Sequence, residues 1–401
     1  MHTIIPKQPN RNVILIASVI IMLCLGIIYM WSIFSKYVCA YYGWELHQVS
    51  LTSSIMFGAF VIGIISGGKI QHPLGMKKTI MIGTLLFSGG IFLTSFLSST
   101  YPWMLYITYG VIAGFGVGIA YACALACCQA WFPDKRGFAS GITISAFGLS
   151  VVIFSPIAEA LLTTNSPPTT FRIFAITFFI ICFVSSLFIK EKIQKKEEYD
   201  GCEVIGGIKQ YKPNDIIKNK YFYQIMLILL CSAAAYLVLI PILRPLGELR
   251  GLSSNLAIFS VMLAGICSCI GRFVLGFLSD EIGRKYALAV TSIITIISTL
   301  LLIKATGMTF LATTAAIAFS YGGVTALMPP ITGDYFGIKY VAANTGCVMI
   351  GSGFSAIFFP ILINSIQQGN SNYTFSLIIP AVTGGIALLL ISLLKKDKKN
   401  I

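Results

Sequence analysis

The sequence predicts an all-α membrane protein in which twelve membrane-spanning helices form two pseudo-symmetric six-helix bundles. Three observations carry that expectation. The chain divides into apolar runs of membrane length, a glycine-bounded charged turn recurs after the second run of each half, and the basic residues gather in the gaps between runs.

With 401 residues, 56% of them hydrophobic and 10% charged, and a mean hydropathy of +0.86, the chain is far more apolar than a soluble domain of its size. The formal net charge of +14 does not mark a nucleic-acid partner, because the lysines and arginines sit in short polar gaps, as orientation signals do. Most of the eleven cysteines (Cys24, Cys123, Cys127, Cys128, Cys182, Cys231, Cys267, Cys269 and Cys347) lie inside apolar runs, where cysteine behaves as a small hydrophobe. No zinc-type or redox spacing is present. The first apolar run, Val13 to Phe34, is too long for a cleavable signal sequence and no small-residue cleavage site follows it.

Runs of about 20 residues place helices near 13–35, 49–70, 79–98, 103–130, 138–162 and 172–189, then 221–243, 256–278, 286–305, 308–331, 341–366 and 373–394. Residues 1–189 then form the N-terminal bundle, and 221–401 the C-terminal bundle with a short basic tail. The lysine-rich segment 190–220 between them reads as a solvated linker rather than a folded domain. If both termini and this linker are cytoplasmic, 22 lysines and arginines lie inside and five outside, so both termini are expected in the cytoplasm of a multi-pass protein of the cell membrane.

The two halves echo one another at one turn. Gly276-Phe-Leu-Ser-Asp280-Glu-Ile-Gly283-Arg284-Lys285 joins the second and third helices of the second half, and Gly68-Lys-Ile-Gln-His72-Pro-Leu-Gly75-Met-Lys-Lys joins the same pair in the first. Both copies hold two glycines seven apart with a basic pair just after, the internal duplication expected of a carrier with its site near midplane. Glycines let helices approach closely and an aspartate can cap a neighbouring helix end, so Gly276, Asp280, Gly283, Arg284 and Lys285 read as a conformational latch. Asp134 and Arg136, in the polar turn after the fourth run, are assigned to the same latch. His72 stands where Asp280 stands in the second copy, which weakens the first.

Lys69, Arg172 and Lys304 stand at span ends, and Arg272 is the one basic residue deep inside a span. It lies eight residues before Asp280, about 12 Å into a hydrocarbon layer about 30 Å thick. A cation there costs about 2.5 to 3.5 kcal/mol on insertion scales, so it must face protein or water and have a partner. Two readings stand at this point: Arg272 awaits an anion from outside the chain, or it snorkels to the surface or pairs with Glu159 or helix-end carbonyls.

The Gly-x-Leu-x-Asp-x-x-Gly-Arg-Lys turn after the eighth span, in a six-plus-six chain with a central loop, resembles the major facilitator superfamily. Gly26-Ile-Ile-Tyr29-Met-Trp31-Ser32-Ile-Phe34, Trp131-Phe-Pro-Asp-Lys-Arg-Gly-Phe-Ala-Ser-Gly141 and Asp334-Tyr-Phe-Gly-Ile-Lys339 are similar to runs in its oxalate:formate antiporter and monocarboxylate-transporter members. The resemblance covers essentially the whole chain. It implies the major facilitator fold, a monomer, and a secondary carrier in which Arg272 binds a substrate carboxylate. A guanidinium suits that role, being permanently charged and presenting a planar fork that matches a carboxylate bidentately.

The family's oxalate carrier uses a second cation, a lysine in the eleventh helix. Matching Asn344-x-Gly346 and Pro360 puts Ser352 at its position. One arginine would leave half of a dianion without a partner in a low-dielectric cavity, so the expected substrate is a monoanion such as formate, acetate or lactate, with oxalate:formate exchange as the alternative. Tyr29, Tyr121 and Tyr321 are carried over as cavity-lining candidates or, equally, as core packing; for Trp31 packing is the better reading. Proton coupling needs a titratable group, and Glu159 is either a proton carrier or a structural residue near the outer surface. The first helix holds no carboxylate and no span holds a histidine, which favours exchange over symport. A transporter-like sensor, binding the anion without flux, is the competing class. An enzyme is not expected, since no intramembrane His/Asp/Glu cluster, nucleophile–base pair or cofactor motif is present, and no metal or cofactor is implied.

Overall fold

The computed structural model describes residues 10–44, 46–191, 197–199, 202–205, 208–367 and 374–394. The first span is α1 (Arg11–Leu25), a 3-10 turn (Gly26–Met30) and α2 (Trp31–Tyr42), followed by α3 (Leu46–Leu74) and α4 (Met76–Thr94). The fourth span opens with α5 (Trp103–Leu105), widens into a π-helical stretch (Tyr106–Ala113) and continues as α6 (Gly114–Trp131). Then come α7 (Arg136–Thr164) and α8 (Pro167–Leu187), the short strands β1 (Glu197–Tyr199), β2 (Cys202–Ile205) and β3 (Ile208–Lys209), and α9 (Pro213–Ile216). The second half is α10 (Lys220–Leu249), α11 (Ser254–Ile282), α12 (Arg284–Leu302), α13 (Gly307–Phe336), α14 (Val341–Gln367) and α15 (Thr374–Ser392).

Among the described residues, eleven helices are long and apolar enough to cross a membrane. The twelfth expected span is represented by a shorter apolar helix, Ser376–Ser392, and residues 368–373 lie outside the described residues. The basic tail 395–401 lies outside them as well. Local chemistry sets several helix starts. Asn219 accepts a hydrogen bond from Tyr221 N at the head of α10 (3.0 Å), Ser253 caps α11, and Thr306 and Thr309 form a capping box on α13.

By internal packing the chain divides into two units, Met1–Asp134 with Leu149–Lys195, and Lys135–Gly148 with Lys196–Ile401. The first segment of α7 thus groups with the second half. In unit 1 the fourth span is wedged between α3 and α4. A Cβ at Gly114 would fall 2.6 Å from the Met56 carbonyl, and one at Gly116 would fall 2.6 Å from the Gly83 carbonyl. Only glycine permits backbones so close. The aromatic core of this unit stacks Phe87 on Phe178 (5.9 Å) and Phe34 against Phe171 (5.2 Å). Among the described residues, unit 2 has three buried apolar clusters, one around Phe222, Leu288, Met328 and Phe336, another around Leu243, Leu302 and Phe310, and a smaller one of Ala234, Val238 and Phe359.

The duplication seen in the turns extends to the helices. α3 and α11 are both 29 residues long, and α4 and α12 both 19. The turn glycine of each copy, Gly75 and Gly283, takes a positive φ (83° and 91°) that a side chain would strain. The lysine two residues after the turn glycine has the same task in each. Lys77 Nζ donates to the Leu187 carbonyl (3.4 Å), and Lys285 Nζ to those of Ser392 (2.6 Å) and Leu394 (2.7 Å), closing the last helix of its own half.

The segment between the halves carries local structure that the composition did not suggest. β1, β2 and β3 pair antiparallel in sequence order. Asp200-Gly201 and Gly206-Gly207, the dipeptides joining them in sequence, are favoured two-residue hairpin connections. Glu191 accepts from Met76 N at the head of α4, and Gln210 Oε1 accepts from Lys339 N (2.9 Å), so each described end of the segment is fastened to the unit it adjoins.

Candidate functional site

Arg272 lies in the middle of α11, in unit 2, with only 8% of its surface exposed. The helix is held tightly on one side by α13. A Cβ at Gly271 would strike the Phe319 carbonyl, and one at Gly322 would strike the Ser268 carbonyl. On another side lies the first segment of α7. A Cβ on Gly141 would come within 2.7 Å of the Arg272 carbonyl oxygen, one on Gly148 would overlap the guanidinium Nη1, and Ser145 Oγ donates to the Cys269 carbonyl (3.0 Å). The arginine is thus surrounded by helix rather than directed along α11 towards its end.

The other expected lining residues divide between the units. Tyr321 on α13 is half-buried and stacks on Tyr236 of α10 (4.3 Å, 13°), so both rings have an apolar face covered. Ser352 on α14 turns its hydroxyl back to the Met349 carbonyl (2.9 Å), a local bond that satisfies the donor inside its own helix. In unit 1, Tyr29 is 40% exposed with its ring 5.7 Å from that of Phe57, whereas Tyr121 is buried edge-on to Phe60 (5.2 Å). Trp31 is core, as read from sequence: its indole donates to the Val49 carbonyl (2.8 Å) and its ring lies 4.5 Å from Tyr109. Glu159 is exposed on the later part of α7, in unit 1.

One helical turn beyond Arg272, α11 presents Gly276 and then Asp280. Gly276 meets α7 backbone to backbone, since a Cβ there would lie 2.7 Å from the Gly137 carbonyl and 2.9 Å from Gly141 Cα. Asp280 accepts from Gly137 N (2.9 Å) and Phe138 N (2.7 Å), capping α7 from another helix at the end where its dipole is positive. Arg284 closes on Asp280 (2.6 Å), donates to Ser279 Oγ (2.5 Å) and reaches Asp334 (3.3 Å), which also holds Arg136 (2.9 Å). The side chains of Asp280 and Arg284 are 8% and 5% exposed, so the pair carries a desolvation cost. The two backbone donors and the serine hydroxyl offset it, a level of satisfaction that an isolated buried pair lacks.

Of the residues assigned from sequence to the latch, Gly276, Asp280, Arg284 and Arg136 come together here, and Gly283 supplies the turn between α11 and α12. Lys285 and Asp134 do not join them. Lys285 caps α15, and Asp134 pairs with Arg11 (3.2 Å) in unit 1, both side chains 49% exposed. Such an exposed pair contributes about 0 to 1 kcal/mol. Asp334 and Ser279 are the members that sequence reasoning left out. Asp334 was visible as an acid next to a span end, but its two arginine partners lie 198 and 50 residues away. Among the described residues, no group of three or more His, Cys, Asp or Glu side chains could hold a metal ion.

The chain matches the family model of the Major Facilitator Superfamily over residues 14–303 and again over 225–400. It is 28% identical over 354 residues to an uncharacterised MFS-type transporter, YhjX, of Escherichia coli K12, covering 87% of each chain. It is 27% identical over 389 residues to the oxalate:formate antiporter of Oxalobacter formigenes, covering 95% of this chain and 90% of that one. The crystal structure of the MFS transporter FucP in the outward conformation superposes with a TM-score of 0.72 at 15% identity, covering 95% of this chain and 98% of that one.

Proposed function

The chain belongs to the Major Facilitator Superfamily and is a multi-pass membrane transporter rather than an enzyme; from that premise we propose that it carries a small monocarboxylate by alternating access, with Arg272 as the carboxylate site. The observation that carries the reading is a permanently charged guanidinium, 8% exposed, in the middle of an apolar spanning helix. A site of that kind is retained where an ion must be recognised, because the membrane interior penalises it otherwise. Tyr321 and Ser352 complete the proposed lining within unit 2, and Tyr29 and Tyr121 are the candidates that the family resemblance names in unit 1. Asp280, Arg284, Arg136 and Asp334 act as the latch, and both termini face the cytoplasm of the cell membrane in a monomer.

The size of the anion follows from the charge it meets. Ser352 is neutral, and its hydroxyl is already committed to the Met349 carbonyl. A formate, acetate or lactate carboxylate is matched by Arg272 alone, whereas a second carboxylate calls for a second cation. Ser352→Lys is expected to raise the preference for oxalate over formate by at least about tenfold, the factor that about 1.4 kcal/mol of added pairing produces. Competition by unlabelled acids for carrier-mediated uptake measures it, and an unchanged profile would remove position 352 from the site.

Oxalate:formate exchange is the second reading, supported by the relative of that name at 27% identity over nearly the whole chain. Reconstitution separates the two. Vesicles loaded with unlabelled acid, or empty, are offered labelled formate, acetate, lactate or oxalate with and without an inward proton gradient. Uptake that requires internal anion is expected, since a buried cation costs less to carry through the membrane interior with an anion bound to it. Uptake into empty vesicles driven by protons would replace exchange with symport and direct the search for the proton group to Glu159. Binding without flux in any arm would make the protein a sensor.

A further inference from the structure

We infer that Gly148 is a positioning residue for the carboxylate site: its missing side chain is the seat in which the Arg272 guanidinium lies. This inference rests on the assignment of Arg272 to substrate above and deepens it. Three features of the α7–α11 contact support it. A Cβ built on Gly148 would clash with Arg272 Nη1, lie 2.9 Å from Cys269 Sγ and lie 3.3 Å from Arg272 Cζ. One helical turn earlier, Ser145 Oγ donates to the Cys269 carbonyl (3.0 Å), fixing the register in which position 148 meets position 272. At Gly141 and Gly276 the two backbones are in direct contact, so backing α7 away to admit a methyl group would give up that close packing.

The glycines at 137, 141 and 276 are explained by backbone contact, but Gly148 is not. Its nearest neighbours are side-chain atoms, and the closest belongs to a cation. Alanine at this position would push the guanidinium out of its orientation, and a planar fork loses bidentate geometry with a small rotation. α7 therefore meets α11 at two functional points, the Gly148 seat and the helix start capped by Asp280, about 16 Å apart along the helix. Any displacement of α7 from α11 during the cycle vacates the guanidinium seat and breaks the Asp280 cap together.

The test is a double-mutant cycle on the full-length purified protein. Thermal unfolding in detergent is measured for the parent, Gly148→Ala, Arg272→Ala and the double variant, and labelled formate and oxalate counterflow is measured for the parent, Gly148→Ala, Gly265→Ala and Arg272→Gln. Gly265 lies on α11 with open space around its would-be Cβ, so it controls for the loss of a glycine alone. Gly148→Ala is expected to lower the unfolding temperature in the parent and to have little effect once Arg272 is gone. It is expected to raise the half-saturation concentration about tenfold or more, a loss of about one decade in affinity, while Gly265→Ala does not. If Gly148→Ala alone fails to accumulate as folded protein, recovery in the double variant reports the same coupling. Equal destabilisation in both backgrounds, no recovery, or parental half-saturation in Gly148→Ala would overturn the inference. Retained flux in Arg272→Gln alongside a coupled stability cycle would instead overturn the assignment of Arg272 to substrate and leave the seat standing.

Discussion

Arg272→Gln is expected to abolish carboxylate transport while leaving a folded, membrane-inserted protein. Glutamine keeps much of the length and some of the hydrogen-bonding capacity but removes the charge and the fork. Truncating one partner of a buried, hydrogen-bonded charge pair costs about 2 to 5 kcal/mol. For carboxylate recognition that is a loss of roughly 30-fold to several thousand-fold. Labelled formate counterflow in proteoliposomes reads the loss, and size-exclusion chromatography with thermal unfolding checks that the variant is folded. Insertion should improve slightly, because an uncharged side chain is cheaper at mid-membrane than a guanidinium. Flux at the parental level would remove Arg272 from the site, and with it the reason for preferring a monoanion.

Asp280→Asn is expected to act on a different step. The carboxylate accepts two backbone donors at the start of α7 and pairs with Arg284 at 2.6 Å. The amide retains the shape but loses the charge, and each charge-assisted hydrogen bond of this kind is worth about 1.5 to 3 kcal/mol. The state in which α11 caps α7 is therefore weakened relative to states in which the two helices separate. Turnover should fall by about tenfold or more while the half-saturation concentration changes much less, since Asp280 lies eight residues from Arg272 and touches helix ends rather than substrate. The comparison of maximal rate with half-saturation for labelled formate decides the matter. A pure loss of affinity would show that the network shapes the binding site instead of balancing conformations. Arg284 should show the same kinetic pattern with a larger loss of stability, because removing it leaves both Asp280 and Asp334 without a cation they hold.

Much of the fold was legible from residue order alone. Membrane-length apolar runs need no tertiary information, because the bilayer obliges each run to satisfy its own backbone. α3, α4, α11 and α12 lie within a few residues of their expected positions, and the repeated turn was found in both halves. The interruptions were not legible. The π-helical stretch Tyr106–Ala113 and the 3-10 turn Gly26–Met30 are as apolar as the helices around them, so hydropathy passes over both. The strands between the halves were missed for the opposite reason, since the lysines that marked the segment as solvated outweighed the Asp-Gly and Gly-Gly turn signals within it.

The chain's own order determined that it enters the membrane repeatedly, that its halves share a plan, and that one guanidinium, Arg272, is buried where an ion must justify its cost. These follow from transfer energies and local hydrogen bonding, which act on residues close together in sequence. Tertiary structure decided which charges form a network and which glycine serves which neighbour. It paired Arg136 with Asp334 across 198 residues, sent Lys285 and Asp134 to other helix ends, and brought Gly148 against Arg272. The physical reason is that glycines and charges carry no long-range address in sequence: a backbone contact or an ion pair exists only where two helices meet, and the register of their packing selects it.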